Sequence, residues 1–227
     1  MNMVNQIKRW KDLKYWNTGE WQVIDERLKE LKKKGRVVNP TRDKLFAALD
    51  LCPYDTCRLC ILGQDPYPNS EMATGLAFSV PKEIEKLPPS LQNILQVYQS
   101  DLHLPHPGHG DLTSWAQNGV LLWNAIPSCE AGHAASHKDW LEWDYLTQEI
   151  IEHLSAKGIV FGLFGGFARK FKKFINEESN AVIETAHPSP LGEMNSPDNA
   201  FSKSRFFSTS NAALVKLGKE PINWRLP

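Results

Sequence analysis

The chain reads as an α/β protein: a central, mainly parallel four-stranded sheet with helices on both faces, making three layers. Three observations predict it. Four short apolar runs, residues 59–62, 120–123, 159–164 and 181–183, alternate with longer segments of helical periodicity. The runs are apolar throughout, as strands covered on both faces are. At 227 residues, 41% hydrophobic and 23% charged, the chain can bury one core without metals or crosslinks. One domain over 1–227 is expected, with a helical segment over about 1–50.

The elements follow in order. Ile24, Leu28 and Leu31 share a helix face before Gly35, and Thr41 is placed to cap a helix over 42–49. After the first apolar run, Phe78 in Gly75-Leu76-Ala77-Phe78-Ser79-Val80 alternates like an ordinary strand aromatic. Helical patterns then cover 91–98 after Ser90, 112–117 after Asp111, 141–154 before Gly158, 167–175, and 204–217 before Gly218.

Composition narrows the function classes. The 26 basic and 26 acidic residues cancel, so no global field draws the chain onto nucleic acid or an anionic membrane. Arg169, Lys170, Lys172 and Lys173 form a local cluster that reads equally as a solvated face or a phosphate-facing patch. No apolar stretch reaches the roughly 20 residues needed to cross a bilayer. The N-terminus lacks a signal-peptide core, so the protein is expected to stay in the compartment where it is made. Cys57 and Cys60 lie at odd spacing on or beside a strand and point to opposite faces, so they do not share a metal ion. Together with Cys52 and Cys129 they read as free thiols of a reducing compartment. His103, His106 and His109 sit in a loop without Cys or carboxylate partners, a poor zinc set.

In parallel α/β sheets ligands bind at the carboxyl ends of the strands. The unusual residues obey that rule. Gln64 and Asp65 follow the first apolar run, Asn124 ends the second, Gly165 and Gly166 follow the third, and His187 follows the fourth. The prolines after Asp65 and His187 restrict the residues they follow. Each residue also has a structural reading: Asp65 as a turn opener, Asn124 as a strand cap, Ser90 as a helix cap. Leu191, between a double-proline turn and Gly192, has no obvious local core and can act as a wedge.

The motifs Gly63-Gln64-Asp65-Pro66-Tyr67, Gly75 to Val80, Pro88-Pro89-Ser90-Leu91, Gly110 to Ala116, Gly119 to Asn124 and His187-Pro188-Ser189-Pro190-Leu191 together resemble the family 1 uracil-DNA glycosylases, from about Leu45 to Trp224. The resemblance implies a four-stranded parallel sheet between helices and hydrolysis of the deoxyuridine N-glycosidic bond in DNA without metal or cofactor. It implies Asp65 and His187 as the catalytic pair, and Gln64, Tyr67, Phe78 and Asn124 as the uracil pocket. Leu191 would enter the base stack, with Ser90, Gly165, Gly166, Ser189 and Pro190 at the DNA backbone.

Expected partners are uracil-containing DNA, single- or double-stranded, and a DNA-mimicking inhibitor protein; no membrane and a monomer are expected. The expected location is cytoplasmic, or a host-cell compartment holding DNA for a viral chain. Four positions depart from the family pattern: Pro68 for histidine, Trp123 for leucine, Gly166 for serine and Gly192 for serine. Trp123 beside Asn124 makes an altered base preference conceivable. A non-catalytic replication accessory protein of the same fold is the rival reading, against which intact Asp65, His187 and Asn124 argue.

Overall fold

A computed structural model describes residues 9–227; the start of the N-terminal segment, and with it part of the signal-peptide expectation, lies outside the described residues. In chain order the elements are α1 (Glu20–Lys33), β1 (Val38–Asn39), α2 (Ala47–Leu51), β2 (Leu59–Gly63), α3 (Pro89–Leu102), α4 (Thr113–Gln117), β3 (Val120–Asn124), β4 (Cys129–Glu130), α5 (Leu141–Ser155), β5 (Val160–Phe164), α6 (Gly165–Arg169), β6 (Ala181–Thr185), α7 (Pro190–Asn195) and α8 (Phe206–Lys216).

The four apolar runs form one parallel sheet in the order β3-β2-β5-β6. β2, β3 and β5 are buried along their whole length, which is why they read as unbroken apolar runs. Alternation along β3 sends Trp123 to one face, where its indole N–H donates to Thr147 Oγ1 of α5 at 2.9 Å. The other face packs toward α3, α4 and α8, with Leu122, Ile94, Trp115 and Phe206 in one apolar layer. Gly162 of β5 admits the Phe206 ring, which an added Cβ would meet at 2.8 Å. The buried side chains form one continuous cluster.

Several expected elements differ. Thr41 makes no side-chain cap; a 3-10 turn at Arg42–Lys44 and the short α2 replace the helix over 42–49. Helix 167–175 is instead α6 followed by a 3-10 turn at Lys172–Phe174. Gly75 to Val80 is no strand: Gly75 and Phe78 both have left-handed backbones, φ 84° and 65°, which break the extended pattern. Ser90 is not a cap, because α3 starts earlier at Pro89 behind the N-cap Pro88. β1 and β4 pair antiparallel outside the main sheet and are too short to show in the sequence.

The basic cluster resolves as a paired face. Lys172 and Arg169 reach Glu184 of β6 at 2.7 and 3.9 Å, while Lys170 and Lys173 lie over the Phe167 and Phe174 rings. All four cysteines are buried and free. Among the described residues no group of His, Cys, Asp and Glu could hold a metal ion, and no helix is long and apolar enough to cross a membrane.

Candidate active site

The end of β2 is fastened to the end of β3. The Gly63 and Gln64 carbonyls accept from the Ala125 and Ile126 N–H groups at 3.0 and 2.9 Å, which continues the ladder past both strands. Position 63 tolerates only glycine, since a Cβ there would lie 2.5 Å from Asn124 Oδ1 and 3.0 Å from Ala77 Cβ. Asn124 is thereby turned into the cavity, and its amide has no hydrogen-bond partner among the described residues.

Asp65 leaves β2 into the same cavity. Its Oδ2 accepts the Ala135 N–H at 2.6 Å across 70 residues of sequence. Burial pushes the carboxyl above its ordinary range, and the Ala135 N–H and Gln64 side chain pull it back. The carboxyl is therefore held by a fixed backbone donor rather than by a cation.

His187 follows β6. Its Nδ1 accepts the Ser189 N–H at 3.1 Å, so in the neutral ring the proton sits on Nε2. Burial holds its pKa below the ordinary histidine value, which keeps the ring neutral at pH 7. Gly165, at φ 85°, lets β5 turn away under the ring; a Cβ there would meet His187 Cβ at 2.8 Å. The Phe78 ring stands 5.9 Å from both His187 and Phe164. Tyr67 Oη donates to the Phe78 carbonyl at 3.0 Å and so fixes that left-handed turn.

Gln64, Asp65, Tyr67, Phe78, Ser90, Asn124 and His187 all line one cavity of about 220 Å³. This is smaller than the roughly 300 Å³ at which drug-sized sites begin, so it suits a single small ring. The remaining expected residues lie around it. Ser189 caps α7, its Oγ accepting from Gly192 N–H at 3.2 Å, and Pro190 takes the first helical position, where a missing N–H costs nothing. Leu191 is therefore on a helix turn rather than a plain loop, and it is 66% exposed, with Met194 one turn on at 76%. Gly165 is buried against His187, whereas Gly166 is open.

Trp123 does not belong to the cavity. Its side chain points to α5, away from Asn124, so its departure from the family pattern bears on packing rather than on base preference. Pro68 does line the cavity, and its carbonyl accepts from Asn39 Nδ2 at 2.8 Å and Gly132 N–H at 2.9 Å.

Sequence reasoning missed Ala73, Thr74, Ala134 and Ala135. Ala135 contributes only a backbone N–H, which no side-chain pattern reveals. The small residues from Ala131 to Ser136, interrupted by His133 and lying between a strand and a helix, were the available signal of a tight loop.

Comparison with known proteins gives one family. The model of the Uracil DNA glycosylase superfamily matches residues 49–215. The chain is 44% identical over 195 residues to the uracil-DNA glycosylase of Campylobacter lari, covering 85% of this chain and 82% of that one. The crystal structure of mimivirus uracil-DNA glycosylase superposes with a TM-score of 0.85 at 24% identity, over 98% of this chain and 87% of that one. The mimivirus UNG Y322L variant in complex with UGI superposes with a TM-score of 0.83 at 25% identity, over 96% and 88%. Family match, identity and fold agree, and the chain belongs to the uracil DNA glycosylase superfamily.

Proposed function

We propose that the protein hydrolyses the N-glycosidic bond of deoxyuridine in DNA, releasing uracil and leaving an abasic site, the first step of base excision repair. One observation carries the assignment of roles: a fixed carboxylate and a neutral imidazole with Nε2–H free to donate share one small cavity with an unpartnered amide. The curated relatives' name supports the reaction itself.

Glycosylases belong to the enzymes that extrude a base from the stack at a cost of a few kcal/mol. Leu191, exposed at the start of α7, would fill the gap, and Ser90, Ser189, Pro190, Gly165 and Gly166 would hold the strand around it. The bond between the sugar and uracil then breaks with its electron pair leaving on the base, so an oxocarbenium-like sugar and a uracil anion develop together. Asp65 stabilises the cation and orients the water that adds to the sugar. His187 donates from Nε2 to a uracil carbonyl and stabilises the anion, a kind of contact typically worth about 3–4 kcal/mol.

Selectivity rests on Asn124 and Tyr67. The amide can accept from uracil N3–H and donate to O4, a pattern cytosine reverses, and sites built on hydrogen bonds reject mismatched edges strongly. Tyr67 would stand against C5, where thymine carries a methyl group, and Phe78 would stack on the ring. Gln64 completes the pocket.

The continuous core supports reading 1–227 as one domain. A monomer acting in a DNA-containing compartment, cytoplasmic in a bacterium, completes the proposal. The mimivirus UNG complex with UGI supports an inhibitor protein as a further partner.

The test is release of free base from matched oligonucleotides carrying U:A, U:G, T:G or single-stranded U. Release from the uracil substrates alone is expected; no release from any of them moves the chain to the accessory-protein reading. Asn124→Asp should extend release to cytosine, and Tyr67→Ala to thymine. If both variants keep parent rate and selectivity, the base pocket lies elsewhere.

A further inference from the structure

The loop that donates to Asp65 is itself held from behind. Ala135 has a left-handed backbone, φ 54°, which an alanine adopts only when its surroundings impose it. The two residues after it impose it. Ser136 Oγ accepts the Glu130 N–H at 2.7 Å, and His137 Nδ1 meets Ser128 Oγ at 2.8 Å, so both tie the far side of the turn back to residues 128–130. His137 is 1% exposed and stacks flat on Trp140, with ring centroids 3.8 Å apart at an angle of 6°.

Trp143 closes the clamp through the same serine. The indole N–H of Trp143 can only donate, and it donates to Ser128 Oγ at 3.0 Å. The same Ser128 oxygen bonds His137 Nδ1, while His137 Nε2 is buried without a partner among the described residues, so Nδ1 makes the ring's one hydrogen bond. His137 is a buried histidine outside the cavity for which the reaction has no use.

We propose that His137 is a positioning residue for Asp65: clamped between Ser128 and Trp140, it holds the turn at Ala135 whose N–H fixes the catalytic carboxylate. The inference rests on the reading of Asp65 given above.

The consequence is electrostatic. If the clamp is removed, the Ala135 N–H swings off Oδ2, the anion loses its donor, and burial raises the carboxyl further. The other titratable groups facing this assembly do not obscure the effect. Cys129 of β4 is pushed up to about 12 by burial and by the Asp65 charge, and Tyr67 is also raised by burial, so both stay neutral. Glu130 is paired with Arg36, His187 stands in the same cavity, and His137 is itself pushed down to about 4 by burial.

The experiment measures the Asp65 carboxyl titration by carbon NMR in His137→Ala, Ser128→Ala and His137→Asn, beside single-turnover base release against pH on single-stranded uracil DNA. In the two alanine variants the Asp65 midpoint and the acid limb of the rate should move up together by about one pH unit, with KM little changed. His137→Asn, which keeps a polar atom near the Nδ1 position, should restore most of the shift.

A residue that only supports the fold would lower the yield of folded protein and leave the midpoint alone, and that result overturns the proposal. Should His137→Ala not fold, Ser128→Ala decides, since it removes a single oxygen. Failure of the underlying reading looks different: Asp65→Asn would then turn over at the parent rate, whatever the NMR midpoints do.

Discussion

On the β2 side of the cavity the reacting group is held by a distant part of the chain. Asp65 takes its hydrogen bond from Ala135, and the turn at Ala135 is tied in turn to Ser128, Glu130 and Trp143. On the β6 side the imidazole takes its hydrogen bond from Ser189, two residues on, and the chain continues into the exposed helix α7. The carboxylate is therefore part of the packed body of the protein. The imidazole belongs to the same short segment as Leu191, the residue proposed as the wedge, so the proposal couples the two. A group that must aim water gains from rigidity. A group that must follow an extruded base gains from travelling with the residue that extrudes it.

Four changes break or sharpen this contrast, from the largest expected effect down. Asp65→Asn keeps the shape and the Ala135 contact but loses the charge. Turnover should fall on the order of 10³-fold or more while uracil-DNA binding survives, as read by single-turnover rates and by titration with labelled DNA. A rate near the parent's would remove Asp65 from the mechanism.

His187→Ala should cost on the order of 10²-fold in rate, because one preorganised donor is lost. In the parent, the His187 folded pKa lies below its unfolded value. Protonation therefore favours the unfolded chain, so this residue's share of stability is complete above about pH 6.5 and is lost as pH falls through the folded value. The variant should accordingly lose less stability than the parent on acidification, measured by urea unfolding at several pH values.

Leu191→Ala tests the exposed side directly. Activity on duplex should fall roughly 10-fold, the equivalent of the apolar burial lost, and less on single strands, where little stack needs replacing. Equal losses on both substrates would make Leu191 a packing residue. The smallest functional effect belongs to Trp123→Leu. It should cost about 1–3 kcal/mol of stability through the lost volume and the lost bond to Thr147, and leave the U, C and T release pattern unchanged. A changed pattern would return Trp123 to the pocket.

What the sequence made legible follows the same division. β2, β3 and β5 were readable because strands buried on both faces must be apolar throughout, and the half-buried edge strand β6 was readable from its first three apolar residues; the rule that ligands sit at the carboxyl ends gathered Gln64, Asp65, Asn124 and His187. The family's motifs supplied Tyr67 and Phe78. The residues from Gly75 to Val80 misled, since alternation says nothing of the two positive φ angles that turn Phe78 toward His187. The cap was misplaced by two residues, at Ser90 rather than Pro88, because Pro89 can open a helix as well as precede one. The bond from Ala135 to Asp65 was invisible: it joins a backbone group to a side chain 70 positions away, and only packing creates it.

Gly192 ties the helix that carries Leu191 to the peptide that carries the imidazole. A Cβ at that position would run into the His187 carbonyl oxygen well inside van der Waals contact, and would also press on His187 Cβ. The serine that the family resemblance implies here does not fit without moving the peptide that carries the imidazole. The residue after Leu191 and the backbone of His187 are thus one steric unit, and any variant that places a hydroxyl beside Leu191 must also re-route that peptide.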